Sequence, residues 1–480
     1  MSHPLIGRHK EKEDLERWIN SDKSEFIAIY GRRRVGKTFL VKKALGNKIT
    51  FHFSGSYRLT RKQQLLNFGL ELKDQFNDQD LSVPDNWILA FHELRQRLEK
   101  VRSKVKVIFL DELPWIDTPR SGLVGALENF WNGWAAHRDD IKLIVCGSAT
   151  SWIINKIIRN KGGLHNRVNH SMLIKPFQLR ECEEYFQAYG FHWSRPLIAE
   201  CYMTMGGIPY YFSLLNPAES LTQNIDRLFF NSDAPLKNEF EDLYRALYKN
   251  YQNHIKIIHA LASKGVGLTR QELVEKTKLT NNGEFSNMLE ELELCGFIRS
   301  YLPFGSHNPH SVKTQRNTLF QLIDFYSLFY LKFHDQRRKD NVNFWSNMVY
   351  SPKINAWKGV TFEMLCLCHI AEIKKALGIA DVSSDICSWR GGNDEAKVQI
   401  DLLIDRMDQT INLCEMKYTA HPFAIDKSYA AKLQEKIDVF RAETHTLKNI
   451  LLTLISAQGL ARNAYSYLIQ RLVTLDDLFL

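Results

Sequence analysis

A basic loop bounded by glycines near the N-terminus constrains the fold of this chain more than any other feature. The loop consists of Gly31, Arg32, Arg33, Arg34, Val35, Gly36, Lys37 and Thr38. An apolar run at 26–30 precedes it, and a run with helical spacing at 39–45 follows it. A strand, a glycine loop and a helix in this order are the context in which such a loop wraps a phosphate group. The spacing therefore predicts an α/β domain with the parallel sheet of a P-loop NTPase.

The last residues of this loop and its backbone amides have predicted roles. The exposed amides at the start of the helix would point at a phosphate group. Lys37 would reach the β- and γ-phosphates, and the Thr38 hydroxyl would hold Mg²⁺. The alternative is a basic turn between a strand and a helix that binds nothing. The filled positions and the flanking elements favour a nucleotide site.

A second apolar run, at 107–110, ends in two carboxylates, Asp111 and Glu112. In P-loop proteins, the acid at this position holds Mg²⁺ through water, and the adjacent acid can polarise the attacking water. We therefore expect Asp111 in the metal site and Glu112 as a catalytic residue. The alternative is a buried strand that ends in an acidic turn.

Two further residues are candidates for contact with a nucleotide. Ser148 follows a third apolar run at 143–147, where it could sense the γ-phosphate, cap a helix, or do both. Arg167 ends a polar stretch with two glycines at 162–167. It could act as an arginine finger, in its own chain or towards a neighbouring subunit. An arginine that is only solvated or paired with an acid is the alternative.

Several of these motifs together resemble the archaeal-type ATPase family of the AAA+/STAND group. The resemblance rests on Ile6 to Arg8, Gly31 to Thr38, Asp111 with Glu112, Gly147 with Ser148, and Gly206 to Tyr211. It covers roughly residues 1–335 and implies ATP rather than GTP as the nucleotide. It also implies an ATPase core over 1–177 and a helical lid over 178–245, where 181–189 and 196–205 show helical periodicity.

The region 246–335 is predicted to be a winged-helix domain. Its predicted elements are helices at 254–263, after the capping box at 269–272, and at 284–295, followed by alternating runs at 297–302 and 318–322. Lys276, Lys278, Lys313 and Arg316 give it a basic side that suits DNA phosphates. The alternative is a winged helix that only packs between domains. An aromatic run at 324–330 is interpreted as core packing rather than base stacking.

The region 336–480 has no nucleotide motif, but acids interrupt or end its apolar runs. The runs 399–404 and 411–417 are predicted to be two strands joined by a turn at 406–410. Because alternate residues of a strand share a face, Glu415 and Lys417 should project together, with Asp401 within reach. A helix that opens at Phe362 could bring Glu363 to the same point.

Carboxylates beside a lysine are typical of a divalent-metal site for phosphodiester cleavage. The pattern resembles the PD-(D/E)XK nuclease fold, which is a restriction-endonuclease-like α/β fold, and the C-terminal domain that accompanies this ATPase family over about 350–450. The resemblance implies a site formed by Glu363, Asp401, Glu415 and Lys417, in which the three acids hold the metal. Tyr429 and Lys432, on the next predicted helix, are further candidates for phosphate contacts. A solvated strand pair would look similar, and a nuclease fold can bind nucleic acid without cutting it.

Composition limits the remaining possibilities. A chain of 480 residues exceeds one hydrophobic core, so several domains are expected. The net charge of +9 is compatible with nucleic-acid binding but does not require it. The eight cysteines are scattered, with no Cys-x-x-Cys pattern, and no apolar window is long enough to span a membrane. We therefore expect a cytoplasmic protein without zinc, disulfides or membrane contact.

Three functions are compatible with these patterns. The first is a protein that binds and hydrolyses ATP and binds or processes DNA, with a metal-dependent nuclease-like domain. The second is a STAND-type ATP-driven signalling or transcription switch whose C-terminal domain interacts without cleaving. The third is an ATPase that assembles with a protein partner. The sequence does not decide whether the nucleic acid is DNA or RNA, or whether the chain forms a homo-oligomer.

Overall fold

The computed structural model describes residues 4–78, 83–305, 317–333, 343–392 and 398–480. The chain forms two compact units: 1–176 with 294–296, and 177–293 with 297–480. Lys313 and Arg316, two of the basic residues assigned to the winged helix, lie outside the described residues. In the described ranges, no helix is both long enough and apolar enough to cross a membrane.

A parallel sheet forms the centre of the first unit. Its strands are β1 (Glu25–Tyr30), β2 (Ile49–Ser54), β3 (Lys106–Asp111), β4 (Ile141–Gly147) and β5 (His170–Leu173). Their order is β2-β3-β4-β1-β5, and every neighbouring pair is parallel. Every residue of β3 and β4 is buried, as expected for central strands of a sheet that is covered on both faces. The prediction of an α/β fold with a parallel sheet is confirmed.

Helices surround this sheet and supply most of the aromatic core. They are α1 (His9–Ile19), α2 (Lys37–Leu45), α3 (Arg61–Phe76), α4 (Trp87–Lys100), α5 (Leu113–Ile116), α6 (Leu123–Gly133) and α7 (Thr150–Ile153). Phe68 of α3 and Trp87 of α4 are buried and meet edge to face, with ring centroids 5.5 Å apart. Burial of each such ring stabilises the fold by about 2–3 kcal/mol.

The second unit begins with short helices. They are α8 (Leu179–Ala188), α9 (Arg195–Met205), α10 (Pro209–Phe212), α11 (Leu221–Ile225) and α12 (Glu239–Leu247). The segments 181–189 and 196–205, predicted to be helical, correspond to α8 and α9. Their assignment to a lid stays a proposal.

Three helices and a small antiparallel sheet follow. They are α13 (Tyr251–Ala262), α14 (Arg270–Thr277), α15 (Gly283–Leu294), β6 (Leu268–Thr269), β7 (Ile298–Tyr301) and β8 (Leu319–Leu322), with the strand order β6-β8-β7. The predicted capping box forms, because Thr269 Oγ1 accepts from Glu272 N at 3.2 Å and Glu272 Oε2 accepts from Thr269 N at 2.7 Å. The predicted helices and hairpin are confirmed, whereas strand β6 was not predicted.

The next helices are α16 (Phe325–Phe333), α17 (Phe344–Met348), α18 (Pro352–Cys368), α19 (Ile370–Ala376) and, after three strands, α20 (Lys427–Thr444). The aromatic run lies on α16, where Phe325, Tyr326 and Phe329 are buried, so the core-packing interpretation is confirmed. The prediction that a helix opens at Phe362 is wrong. Helix α18 begins at Pro352, since Ser351 Oγ caps it by accepting from Ile354 N at 3.4 Å.

A mixed five-stranded sheet forms the core of the C-terminal region. Its strands are β9 (Ser384–Gly391), β10 (Val398–Arg406), β11 (Thr410–Lys417), β12 (Asn449–Ser456) and β13 (Arg471–Thr474), in the order β13-β12-β11-β10-β9. Strands β9, β10 and β11 pair antiparallel, and β12 and β13 continue the sheet in parallel. The predicted pair of strands with its turn is confirmed as β10 and β11. Helix α20 packs on this sheet, with Phe440 5.1 Å from Trp389 between ring centroids.

Candidate functional site

The loop between β1 and α2 has a backbone that favours glycine at its two ends. Gly31 has φ 144°, and a β-carbon there would lie 2.3 Å from the carbonyl oxygen of Ile174. Gly36 has φ 88° and immediately precedes the first turn of α2. These glycines let the chain curl tightly and present its amides at the start of the helix, as a phosphate-binding loop requires.

Lys37 is buried, and its ammonium group is held by the loop itself. Lys37 Nζ donates to the carbonyl oxygens of Gly31 and Arg32, each at 2.9 Å, and lies 3.4 Å from Ser148 Oγ. An ammonium group has three donors, so these contacts satisfy it within a buried site. Its present partners are neutral oxygens, which a charged phosphate oxygen can replace at a gain in electrostatic energy.

Thr38 and Asp111 come together as the sequence predicts. Thr38 Oγ1 donates to Asp111 Oδ2 at 2.7 Å, and Asp111 is only 3% exposed. A hydroxyl and a carboxylate are the hard oxygen ligands that Mg²⁺ prefers. Thr38 and Asp111 are thus the residues that could hold a magnesium ion beside the loop.

Glu112 and Ser148 form a second pair at the ends of β3 and β4. The two carboxylate oxygens of Glu112 accept from Ser148 Oγ at 2.6 Å and from Ser148 N at 3.2 Å. The alternative that Ser148 caps a helix is wrong, because Ala149 is the N-cap residue of α7 and makes no side-chain cap. Ser148 instead orients the carboxylate that is the candidate base.

The remaining predicted residues of the nucleotide site lie in different surroundings. Arg32 and Val35 are buried, whereas the guanidinium of Arg33 lies 6.0 Å from the ring centroid of Trp115. Arg34 has a left-handed backbone with φ 75°. Arg167 is exposed in a turn, where its N–H donates to the carbonyl oxygen of Leu164 at 3.1 Å. Its role as an arginine finger stays a prediction.

In the C-terminal region, the buried Glu415 is the centre of a group of polar side chains that are themselves half-buried. Its carboxylate accepts from Lys417 Nζ at 2.9 Å, from Lys436 Nζ at 2.7 Å and from the Tyr429 hydroxyl. Burial would raise the pKa of Glu415, but Lys436 and Lys417 outweigh it and hold this pKa below its usual value. The predicted neighbours Glu415 and Lys417 therefore do meet.

The sequence analysis missed Lys436 as a partner of Glu415, and the role it gave to Lys432, contact with phosphate, stays a prediction. Both lysines lie on α20, but Lys432 is exposed to solvent while Lys436 reaches Glu415. The signal was present, since Lys436 lies two helical turns after Tyr429 and thus on the same face of the helix.

Glu363 and Asp401 complete the predicted set of acids. Burial, and then the charge of Asp401, raise the pKa of Glu363 to about 7. Burial also raises the pKa of Asp401, with Glu415 as a further cause, while a hydrogen bond from Gln399 opposes the shift. The three carboxylates are therefore close enough to repel one another electrostatically.

This set fits a metal ion only in part. Repulsion among buried carboxylates would be relieved by a divalent cation with oxygen ligands. In the parts of the chain that are described, however, no group of three or more His, Cys, Asp or Glu side chains is placed to hold a metal ion. Both oxygens of Glu415 are occupied by lysine and tyrosine donors, so a metal would have to replace some of these partners.

Comparisons with known proteins bear on the first unit and part of the second. Residues 5–215 match a family described as an ATPase domain predominantly from Archaea. An uncharacterized protein of Methanocaldococcus jannaschii is 25% identical over 260 residues, which is 54% of each chain. The match thus spans about half the length of that relative. An uncharacterized ATP-binding protein of the same organism is 56% identical over 44 residues, or 9% of this chain and 75% of the relative.

Solved structures give more distant similarities. A Walker-type ATPase of Pyrococcus abyssi has a TM-score of 0.49 and 17% identity, over 69% of this chain and 99% of the other. The ORC2 protein of Aeropyrum pernix, in ADPNP and ADP complexes, has a TM-score of 0.42 and 14% identity, over 72% and 96%. The family match and the geometry of the loop agree. Residues 5–215 are therefore an ATPase domain of the family found predominantly in archaea.

Proposed function

We propose that this protein binds and hydrolyses ATP with Mg²⁺ in its first unit and uses that cycle to bind or process DNA through its second unit. One observation supports the binding and hydrolysis of ATP: five polar side chains are linked by hydrogen bonds at the carboxyl ends of neighbouring parallel strands. They are Lys37, Thr38, Asp111, Glu112 and Ser148. Ligands bind in this position in open α/β sheets.

The roles of these residues follow from their contacts. Lys37 would exchange the loop carbonyls for phosphate oxygens, while Thr38 and Asp111 would hold Mg²⁺. A bound Mg²⁺ would neutralise developing charge on the phosphates. Glu112, held by two hydrogen bonds from Ser148, would orient the attacking water and accept its proton.

The substitution Glu112→Gln tests this assignment. It keeps the shape of the side chain but removes the basic oxygen, so steady-state ATP hydrolysis should fall by about 100-fold or more. The affinity for ATP should stay within about threefold, because no phosphate ligand is lost. Glu13→Gln, an exposed change on α1, is the matched control. If the Glu112→Gln protein hydrolyses ATP at the wild-type rate, Glu112 is not the base that activates the attacking water.

The proposal that the second unit binds or processes DNA rests on the polar side chains around Glu415. A buried carboxylate with two lysines, beside two further acids of raised pKa, is a costly arrangement to keep without a ligand. If a divalent ion binds here, Glu363, Asp401 and Glu415 are the residues that would hold it. The ion would supply an activated water, and Lys417 would position that water next to a phosphodiester.

A cleavage assay on supercoiled and linear DNA, with Mg²⁺ or Mn²⁺ and with or without ATP, tests this part. We expect metal-dependent cutting that the double change Glu415→Ala with Lys417→Ala abolishes. Lys427→Ala with Glu435→Ala is the matched control, since it also removes one base and one acid, but from exposed positions on α20. Cutting that survives the first double change would contradict the assigned site.

The second candidate is a STAND-type switch with a C-terminal domain that interacts without cleaving. One observation favours it, namely that both carboxylate oxygens of Glu415 already accept hydrogen bonds from Lys417, Lys436 and Tyr429. DNA binding and ATP hydrolysis without cutting in any metal would support this function over the nuclease.

A further inference from the structure

Two aromatic rings and two arginines cluster beside the nucleotide site of the first unit. Tyr57, after β2, and Trp115, in α5, have ring centroids 5.5 Å apart at an interplanar angle of 51°. The guanidinium of Arg58 lies 5.1 Å from the Tyr57 centroid, and that of Arg33, in the phosphate-binding loop, lies 6.0 Å from the Trp115 centroid. Neither ring has a role in ATP binding or hydrolysis as described above.

A buried glutamine joins the two segments that carry these rings. Gln64 of α3 is fully buried, and its Nε2 donates to the carbonyl oxygens of Ser56 at 2.7 Å and Trp115 at 3.0 Å. Its Oε1 accepts from Ser56 N at 3.3 Å. Because a buried amide with satisfied hydrogen bonds holds its partners in one geometry, the cluster is built into the fold and is not a chance meeting of surface side chains.

Tyr57 and Arg58 of this cluster face solvent among positive charges, while Trp115 and Arg33 are half-buried. Tyr57 is 43% exposed, although its ring rests against Trp115. Arg58 is exposed, and so are Arg61 and Lys62 in the first turn of α3. An exposed ring bordered by cations is the arrangement on which an unpaired base stacks while guanidinium and ammonium groups bind the phosphates.

We propose that this cluster, formed by Arg33, Tyr57, Arg58 and Trp115, is a binding site for single-stranded nucleic acid in the ATPase unit. A single strand is favoured over a duplex because only unpaired bases offer their faces to an aromatic ring. The proposal shares the nucleic-acid partner of the proposed function. It goes beyond that function by naming the form of the strand and by placing a contact outside the C-terminal region.

The cluster is also connected by backbone hydrogen bonds to the acids of the nucleotide site. Trp115 N donates to the carbonyl oxygen of Glu112, and Gly55 N donates to that of Asp111, both at 2.9 Å. A β-carbon at Gly55 would lie 2.6 Å from the Glu112 carbonyl oxygen, so the two segments are in close contact. A nucleic-acid strand stacked on Tyr57 would therefore lie against the segments that carry Asp111 and Glu112, and we expect it to increase the rate of ATP hydrolysis.

Fluorescence anisotropy with labelled oligothymidylate and oligouridylate, each against a duplex of equal length, tests the proposal in the full-length protein. We expect Tyr57→Ala to weaken binding of the single strand by about tenfold, the effect of losing one stacked base. Tyr57→Phe should keep the affinity, because it keeps the ring. Tyr350→Ala is the control, since Tyr350 is a 90% exposed tyrosine of the second unit and should leave binding unchanged.

Stimulation of ATP hydrolysis by the same oligonucleotides gives a second readout. Stimulation that is present in the wild type and in Tyr57→Phe, but lost in Tyr57→Ala, supports the proposal. Equal affinity of wild type and Tyr57→Ala for single strands overturns it, and so does binding of the duplex alone. Weaker ATP binding without a change in oligonucleotide binding would also overturn it, by assigning Tyr57 to the nucleotide. None of these results affects the cleavage test at Glu415 and Lys417, so the two proposals fail separately.

Discussion

The nucleotide site and the carboxylate–lysine site of this protein keep their charged groups buried in opposite ways. In the first, the ammonium of Lys37 is held by neutral carbonyl oxygens of the loop that carries it. In the second, the carboxylate of Glu415 is held by two ammonium groups and a hydroxyl from other positions. Neutral partners are exchanged for a charged ligand more easily than charged partners are.

The two sites therefore differ in how much they must rearrange before a ligand can bind. The phosphate-binding loop needs only one contiguous segment, 31–38, and two residues from neighbouring strands. The second site draws on α18, β10, β11 and α20, and its central acid must give up existing ion pairs before it can bind a metal. We therefore expect the first site to bind its ligand in the geometry shown and the second to rearrange.

The largest effect should come from Lys37→Ala. Loss of the ammonium group removes the charge that stabilises the transferring phosphoryl group, so ATP hydrolysis should fall by about 100-fold or more. The measurement is steady-state phosphate release, with Lys42→Ala as control because Lys42 is exposed on the same helix. If both variants hydrolyse ATP at the wild-type rate, the loop is not the active site.

A smaller effect is expected at Ser148, which orients Glu112. Ser148→Ala removes the hydroxyl that donates to Glu112 Oε1 and lies near Lys37 Nζ, so hydrolysis should slow by about tenfold. ATP affinity, measured by titration calorimetry, should change little. Ser151→Ala, a neighbouring change in α7, is the control. A loss of affinity with unchanged turnover would mean that Ser148 contacts the nucleotide directly.

In the second site, Lys436→Met should lower stability. It leaves the buried Glu415 with one lysine instead of two, and the expected loss is about 1–2 kcal/mol, reduced because Lys417 remains and Lys436 is partly exposed. Urea unfolding in EDTA, followed by fluorescence, measures the shift of the transition. Lys432→Met, an exposed change on the same helix, should have almost no effect. Equal shifts for the two variants would contradict the importance of the ion pair.

The smallest effect on stability is expected at Glu363, and this effect depends on pH. Its folded pKa of about 7 lies above that of the unfolded chain, so the folded state binds more protons and the stability of the protein falls as pH rises from about 5 to 7. Glu363→Gln removes this penalty, and we expect it to be more stable than the wild type at pH 8 by about 1 kcal/mol, but not at pH 5. Thermal unfolding in EDTA at both values measures this, with Glu435→Gln as control. An equal difference at both pH values would show that the carboxyl group is not held protonated.

Some features of both sites could be predicted from the sequence alone, and others could not. The loop at 31–38, the acids after β3 and the capping box at Thr269 are local patterns, and the structure places each in its expected element. The meeting of Glu415 with Lys417 followed from the alternation of side chains along one strand. Glycine conformations, caps and strand periodicity depend on neighbours in sequence, so the sequence alone determines them.

The partners across elements were decided only by the tertiary structure. The contacts of Lys436 with Glu415, of Ser148 with Glu112, and of Gln64 with Trp115 all join residues far apart in the chain. Helix α18 likewise begins before Phe362, so Glu363 reaches its site from the C-terminal half of a longer helix. Which side chains meet depends on how helices and strands pack and on which rotamers that packing allows, whereas local sequence patterns show only which residues share a face of one element.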